Sequence, residues 1–155
     1  MKPTTHILVP TDLSSASMDA IEYAAALAGP LGARLHLVHV LEDPHGRSGP
    51  YAFSVPDRPD RHEQLYQHAR TALSRAAAKY RDDLIVTVEV REGPVTEAIL
   101  NAAVDYGADL IVMGTQGRGG LKDLLVGSTT DQVNRLARCP VLAVRQPRDT
   151  GRAAA

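Results

Sequence analysis

Asp109-Leu-Ile-Val-Met-Gly-Thr-Gln-Gly-Arg-Gly-Gly-Leu-Lys-Asp-Leu-Leu-Val-Gly-Ser-Thr-Thr130 joins a short apolar run to a glycine-rich stretch and then to a cluster of hydroxyls. Asp109 to Met113 has the length and β-branching of a buried strand. Ser128 is a capping residue for a helix running to about Arg138. The unit is therefore strand, glycine-rich loop, helix, and the rest of the chain is read outward from it.

Downstream, Pro140-Val-Leu-Ala-Val144 reads as a fifth strand, and the segment from Gln146 to Ala155 has no apolar period. Upstream, Leu84 to Val90 is a third strand; Gly93-Pro94 opens a third helix, and Gly107 closes it. Leu65, Ala69, Ala72, Leu73, Ala76 and Tyr80 form the apolar stripe of a second helix. Between residues 42 and 60 stand Pro44, Gly46, Gly49, Pro50, Pro56 and Pro59, a density of breakers that predicts a long mobile loop. Leu35 to Leu41 is a second strand. Ahead of it, Ser14, Ser15 and Ser17 offer cap hydroxyls to a helix carrying Met18, Ile21, Ala25 and Ala28, which Gly29-Pro30 is expected to stop. Ile7-Leu8-Val9, ended by Pro10, is the first strand.

This alternation specifies an α/β fold, a single domain in which a five-stranded parallel sheet is covered by helices on both faces. A Rossmann-like three-layer sandwich of strand order 3-2-1-4-5 is expected, the order being what the family resemblance given below implies. The domain is expected to span 1–146 and to leave 147–155 as a disordered tail. In such sheets ligands sit beyond the carboxyl ends of the strands, where strand order reverses, so the loops after strands one and four are the places for a site.

Composition narrows the function classes. With 17 Lys and Arg against 18 Asp and Glu, the net charge of −1 lacks the basic footprint of a nucleic-acid binder. No apolar run approaches the roughly 20 residues that span a bilayer. The first residues run into a strand without the apolar region of a signal peptide, so a cytoplasmic location is expected. Cys139, the single cysteine, reads as a small buried hydrophobe.

The glycine-rich stretch suits phosphate. Glycine lets the main chain approach an anion closely, and the free N–H groups of a helix start attract it. Ser128, Thr129 and Thr130 can add hydrogen bonds and Arg118 a charge-assisted one, whereas Lys122 reads equally well as a solvated charge. Neither the Walker A pattern nor the dinucleotide G-x-G-x-x-G occurs.

What the stretch resembles is the ATP-binding pattern of universal stress proteins, G-x-x-G, nine residues, then G-[ST], met at Gly114, Gly117, Gly127 and Ser128. Ile7-Leu-Val-Pro-Thr-Asp12 looks like the family's first strand, Leu37-Val-His-Val40 like its second, and Cys139-Pro-Val-Leu-Ala-Val144 like its last. The resemblance implies the adenine nucleotide alpha hydrolase-like form of the sandwich. It also implies that Asp12 contacts the ribose or adenine side, that Val40 holds adenine through its backbone, and that Pro10 and Thr11 line the base pocket. Met113 and Gly114 would lie beneath the ribose, with Gly117, Arg118, Gly127, Ser128 and Thr129 around the phosphates, Thr130 nearby, and Thr115 also among the ATP-binding residues. Mg2+ bridging the phosphates and a homodimer through Val141, Leu142, Ala143 and Val144 follow from the same resemblance. One departure is that Gly93 and Pro94 are adjacent where the family commonly reads G-x-P.

Other residues invite blander readings. An Asp between strand and helix, such as Asp12, often turns or caps the chain. His36 and His39, three apart on a strand, point to opposite faces. His62 and His68, six apart on a helix, are separated by about 240°. No His or carboxylate stands at a recognisable spacing from a nucleophile, so no catalytic residue is expected. The leading reading is an ATP-binding stress or signalling protein working through ligand-gated conformation or partner binding. Slow ATP hydrolysis or nucleotidyl transfer, and binding of AMP or cyclic AMP, are the alternatives.

Overall fold

Ile7, Leu8 and Val9 are all fully buried, which consecutive strand residues achieve only when both faces of their sheet are covered. The computed structural model describes residues 3–42, 59–115 and 127–145. In chain order they form β1 (His6–Pro10), α1 (Ser15–Leu31), β2 (Arg34–Leu41), α2 (Pro59–Ala78), β3 (Val86–Glu92), α3 (Val95–Tyr106), β4 (Leu110–Gly114), α4 (Ser128–Leu136) and β5 (Val141–Val144). The strands pair in parallel in the order β3-β2-β1-β4-β5, as expected.

Side-chain alternation sorts the apolar residues into two cores. Ile7, Val9, Leu35, Leu37 and Val112 pack against α1 and α2, whose buried Ala20, Ile21, Ala24, Ala28 and Leu73 fill that layer. Leu8, Val38, Ile111 and Met113 pack on the other face with Ile99 and Ala102 of α3 and Val133 of α4. The alanines of α1 let the helix backbone lie close to the sheet, so a chain with one Phe and no Trp fills its interior without large rings.

Several boundaries differ from expectation. Gly29-Pro30 does not stop α1: Pro30 lies in its last turn, where the missing N–H costs one bond. The stop is Gly32, left-handed at φ 62°, with its own N–H bonded to Gly29 C=O and that of Ala33 to Ala28 C=O. Pro59 opens α2 instead of ending the preceding loop, consistent with its preference for a first helical position. β3 begins at Val86 and reaches Glu92, and β4 runs from Leu110 to Gly114. Helix α4 has Gly127 as its cap, with Ser128 already helical, and ends at Leu136 because Ala137 turns extended on the way to Pro140. Of the loop expected at 42–60, residues 43–58 lie outside the described residues, as does the tail expected at 147–155.

Candidate functional site

The sheet order reverses at β1, between β2 and β4, and there the ladder stops early. β1 pairs with β2 as far as Pro10 and Val38, and β4 with β5 as far as Gly114 and Val144. β1 and β4 pair only at Ile7–Leu110 and Leu8–Ile111. The cause is Pro10. Thr11 N–H bonds Val38 C=O, so odd positions of β1 face β2 and even ones face β4. The next rung to β4 needs an N–H at residue 10, which proline lacks. The carboxyl edge therefore has an unbridged crevice between the end of β1 and the end of β4, at the switch point where this fold class holds ligands.

Four of the residues singled out in the sequence meet there from β4 and α4. Thr115 is buried; its N–H bonds Val144 C=O at 2.9 Å, and its carbonyl accepts from Gly127 N–H at 2.6 Å. Thr130, also buried, donates its hydroxyl to Gly114 C=O at 2.9 Å. Two bonds thus clamp the start of α4 onto the end of β4, and so bring together the two described residues, Thr115 and Gly127, that flank positions 116–126. No side chain caps α4 at Gly127, and the first-turn N–H groups of a helix have no partner within it. Ser128 is exposed and Thr129 half-buried at this turn. The hydroxyl of Thr130 is engaged by Gly114 and serves the clamp. Gly117 and Arg118 lie outside the described residues.

On the β1 side, every polar atom of Thr11 is used. Its N–H goes to Val38, its carbonyl accepts from His39 Nδ1 at 2.8 Å, and its hydroxyl donates to Ser17 Oγ at 2.8 Å while accepting from Leu13 N–H at 3.0 Å. Ser17 in turn donates to Ser14 C=O. Asp12 Oδ1 accepts from Ser14 N–H at 3.0 Å, so Asp12 shapes the turn as an Asp at this place commonly does. Between them Leu13 is held at φ 65°, a left-handed conformation that costs a side-chain-bearing residue roughly 1–2 kcal/mol. Of the three serines, Ser14 is the helix cap.

Val40 completes the edge from β2. Even positions of β2 turn their main chain towards β1, as Arg34 N–H to Thr5 C=O and Val38 C=O to Thr11 N–H show. Val40 stands two residues beyond the last β1–β2 pair, so its N–H and C=O face the space past the end of β1. Gly93, at φ 112°, donates to Leu41 C=O and sends the chain into α3 with Pro94 as the cap. The adjacency of Gly93 and Pro94 is thus accommodated by a positive φ that glycine tolerates.

The histidines have separate structural partners. His36 bonds Thr87 and Glu89 and stacks on Tyr106; His62 bonds Glu92. Among the described residues no group of three or more His, Cys, Asp or Glu could hold a metal ion. Cys139 is half-buried, and burial with the nearby Asp109 charge pushes its thiol up, the opposite of an activated nucleophile. No described helix is long and apolar enough to cross a membrane. Sequence reasoning missed the parts that Leu13, Ser17 and His39 play: Leu13 and Ser17 are tied to Thr11 by bonds local to the β1–α1 turn, whereas His39 reaches Thr11 because β1 and β2 lie side by side.

Known proteins share the sequence pattern and the fold of this chain. Universal stress protein A homolog 1 of Coxiella burnetii is 35% identical over 147 residues, covering 90% of this chain and 94% of its own. The structure of UspA from Lactobacillus plantarum superposes with a TM-score of 0.80 at 27% identity, over 94% of this chain and 100% of that one. A universal stress protein of Archaeoglobus fulgidus, solved in complex with dAMP, shares the fold at TM-score 0.63 and 21% identity, over 92% and 98% of the two chains. The model of the universal stress protein family matches residues 3–145, so the chain belongs to that family.

Proposed function

We propose that this chain binds an adenine nucleotide, ATP in the leading reading, across the crevice between β1 and β4, and acts through ligand-gated conformation or partner binding. The observation that carries the reading is the clamp of Thr115 and Gly114 on Gly127 and Thr130, which sets the ends of the glycine-rich loop beside a helix start without a side-chain cap. The roles are those that the family resemblance implies: Pro10, Thr11, Asp12 and the Val40 backbone for the adenosine side, Met113 and Gly114 for the ribose, and Gly117, Arg118, Gly127, Ser128 and Thr129 for phosphates, with Thr115 and Thr130 nearby. Mg2+, bound together with the nucleotide, would supply charge neutralisation at the phosphates; among the described residues no cluster of His, Cys, Asp or Glu would hold it by itself. The helix start and glycine amides would bind and orient the phosphates; no described side chain is set up as a base for turnover.

Mass spectrometry of nucleotide released from the purified protein, followed by calorimetry with ATP, AMP and cyclic AMP, tests the proposal. Near-equimolar ATP, or tight binding of added ATP lost in Gly117→Val, is the expected result. Protein that emerges empty and titrates with none of the three refutes it. The dAMP complex of the Archaeoglobus fulgidus relative favours a second reading, in which a nucleoside monophosphate is the ligand. AMP binding at least as tight as ATP would select it.

A further inference from the structure

We infer that His39 is a positioning residue for this site, acting through Thr11; the inference rests on the adenine-nucleotide reading. His39 lies on β2 beside Val40, but its side chain serves the neighbouring β1–α1 turn. A carbonyl oxygen only accepts, so the 2.8 Å contact between His39 Nδ1 and Thr11 C=O fixes Nδ1 as the protonated nitrogen.

The turn needs such a support. Leu13 is held at φ 65° with a half-buried side chain, and a left-handed leucine persists only where its surroundings over-determine it. Three attachments do so. Thr11 N–H is tied to Val38, the Thr11 hydroxyl runs through Ser17 to Ser14 C=O, and the Thr11 carbonyl is tied to His39. The first two are made by the strand ladder and by the start of α1. The first and the third both come from β2, the strand that carries Val40, but the third is the one made by a side chain, and His39 is the immediate neighbour of Val40. It therefore locks the two sides of the adenosine end to each other: Asp12 at the turn, and the Val40 main chain at the end of β2.

This gives a chemical signature that separates positioning from mere packing. An Asn side chain places its amide N–H near the position of imidazole Nδ1, whereas Gln places its amide where Nε2 stood. Removal of the donor by His39→Ala, or its displacement by His39→Gln, is expected to weaken AMP binding about tenfold, the affinity equivalent of one buried hydrogen bond. His39→Asn is expected to bind within about threefold of wild type on the same scale. In the unliganded proteins, hydrogen exchange at the Leu13 and Ser14 amides should be accelerated in His39→Ala and His39→Gln and restored in His39→Asn. Wild-type affinity and protection in His39→Ala, or a His39→Asn as impaired as His39→Ala, would overturn the inference. Should His39→Ala fail to fold, the Asn and Gln pair carries the comparison alone. A wild-type protein that binds neither AMP nor ATP refutes the nucleotide reading instead. The amide protection then still decides whether His39 holds the turn.

Discussion

Gly127 belongs to the glycine pattern, yet its φ of −69° is one any residue adopts. What excludes a side chain there is space: a Cβ would meet Thr115 C=O at 3.2 Å, and that carbonyl is fixed by the pairing of Thr115 N–H with Val144. Gly127→Ala is therefore expected to destabilise the fold by about 1 kcal/mol through overpacking, read as a lowered urea midpoint at unchanged slope. Gly107 is the opposite case. Nothing would touch its Cβ, but φ is 66°, so Gly107→Ala costs about 1 kcal/mol in backbone strain alone. Thr130→Val removes the hydroxyl clamp on Gly114 and leaves a carbonyl without its donor. A loss of about 1–2 kcal/mol is expected in the same denaturation measurement. The glycine spacing was legible in the sequence because it is local. The bond from His39 to Thr11 was not, since residue 39 reaches residue 11 only through strand pairing.

β3 shows how an edge strand divides its labour. Val86, Val88 and Val90 face the α2 side, whereas Thr87, Glu89 and Arg91 face α3; Thr87 and Glu89 bond His36 of β2, and Arg91 donates to Glu89. Arg91 continues the chain of polar contacts to Asp105 of α3 at 2.8 Å. Burial alone would raise the Glu89 carboxyl, but hydrogen bonds from His36 and Arg91 outweigh it and hold the group below its ordinary value of 4.5. A carboxylate whose folded pKa is depressed contributes stability that is present above the unfolded value and is lost as pH falls through the folded one. Stability should therefore decline as the pH drops below about 4.5. Glu89→Gln should be less stable than wild type at pH 7 and show a shallower decline on acidification, by urea denaturation across pH 7 to 3. A parallel decline in both proteins would remove Glu89 from the acid response. At this scale the alternating Val-Thr-Val-Glu-Val-Arg pattern marks a strand, but its ends were misjudged because Leu84 is apolar and packs on the core without joining the ladder.

For the molecule as a whole, the alternation of strands and helices predicted a parallel sheet covered on both faces, and the expected order 3-2-1-4-5 placed the reversal at β1. Pro10 was legible as the end of a strand. That it also blocks the ladder to β4 required knowing which way its nitrogen faces. The same parity bears on assembly, which we propose to be a homodimer through the last strand. β5 is an outer strand of the sheet, and Val141, Leu142 and Val144 are half-buried with Ala143 exposed. Pro140 and Val144 carbonyls accept from Ile111 and Thr115 of β4, so even positions of this strand face inwards and the main chain of Val141 and Ala143 faces out. A second copy pairing along that edge needs the Ala143 N–H, whereas the fold of one chain does not. Ala143→Pro deletes that donor on the side where an edge strand tolerates proline. Light scattering on the eluting protein is expected to give a dimer for wild type and a monomer for Ala143→Pro, with the circular dichroism spectrum unchanged. A variant that remains dimeric would move the interface to another surface, because an edge ladder cannot be continued through a residue that has no hydrogen to donate.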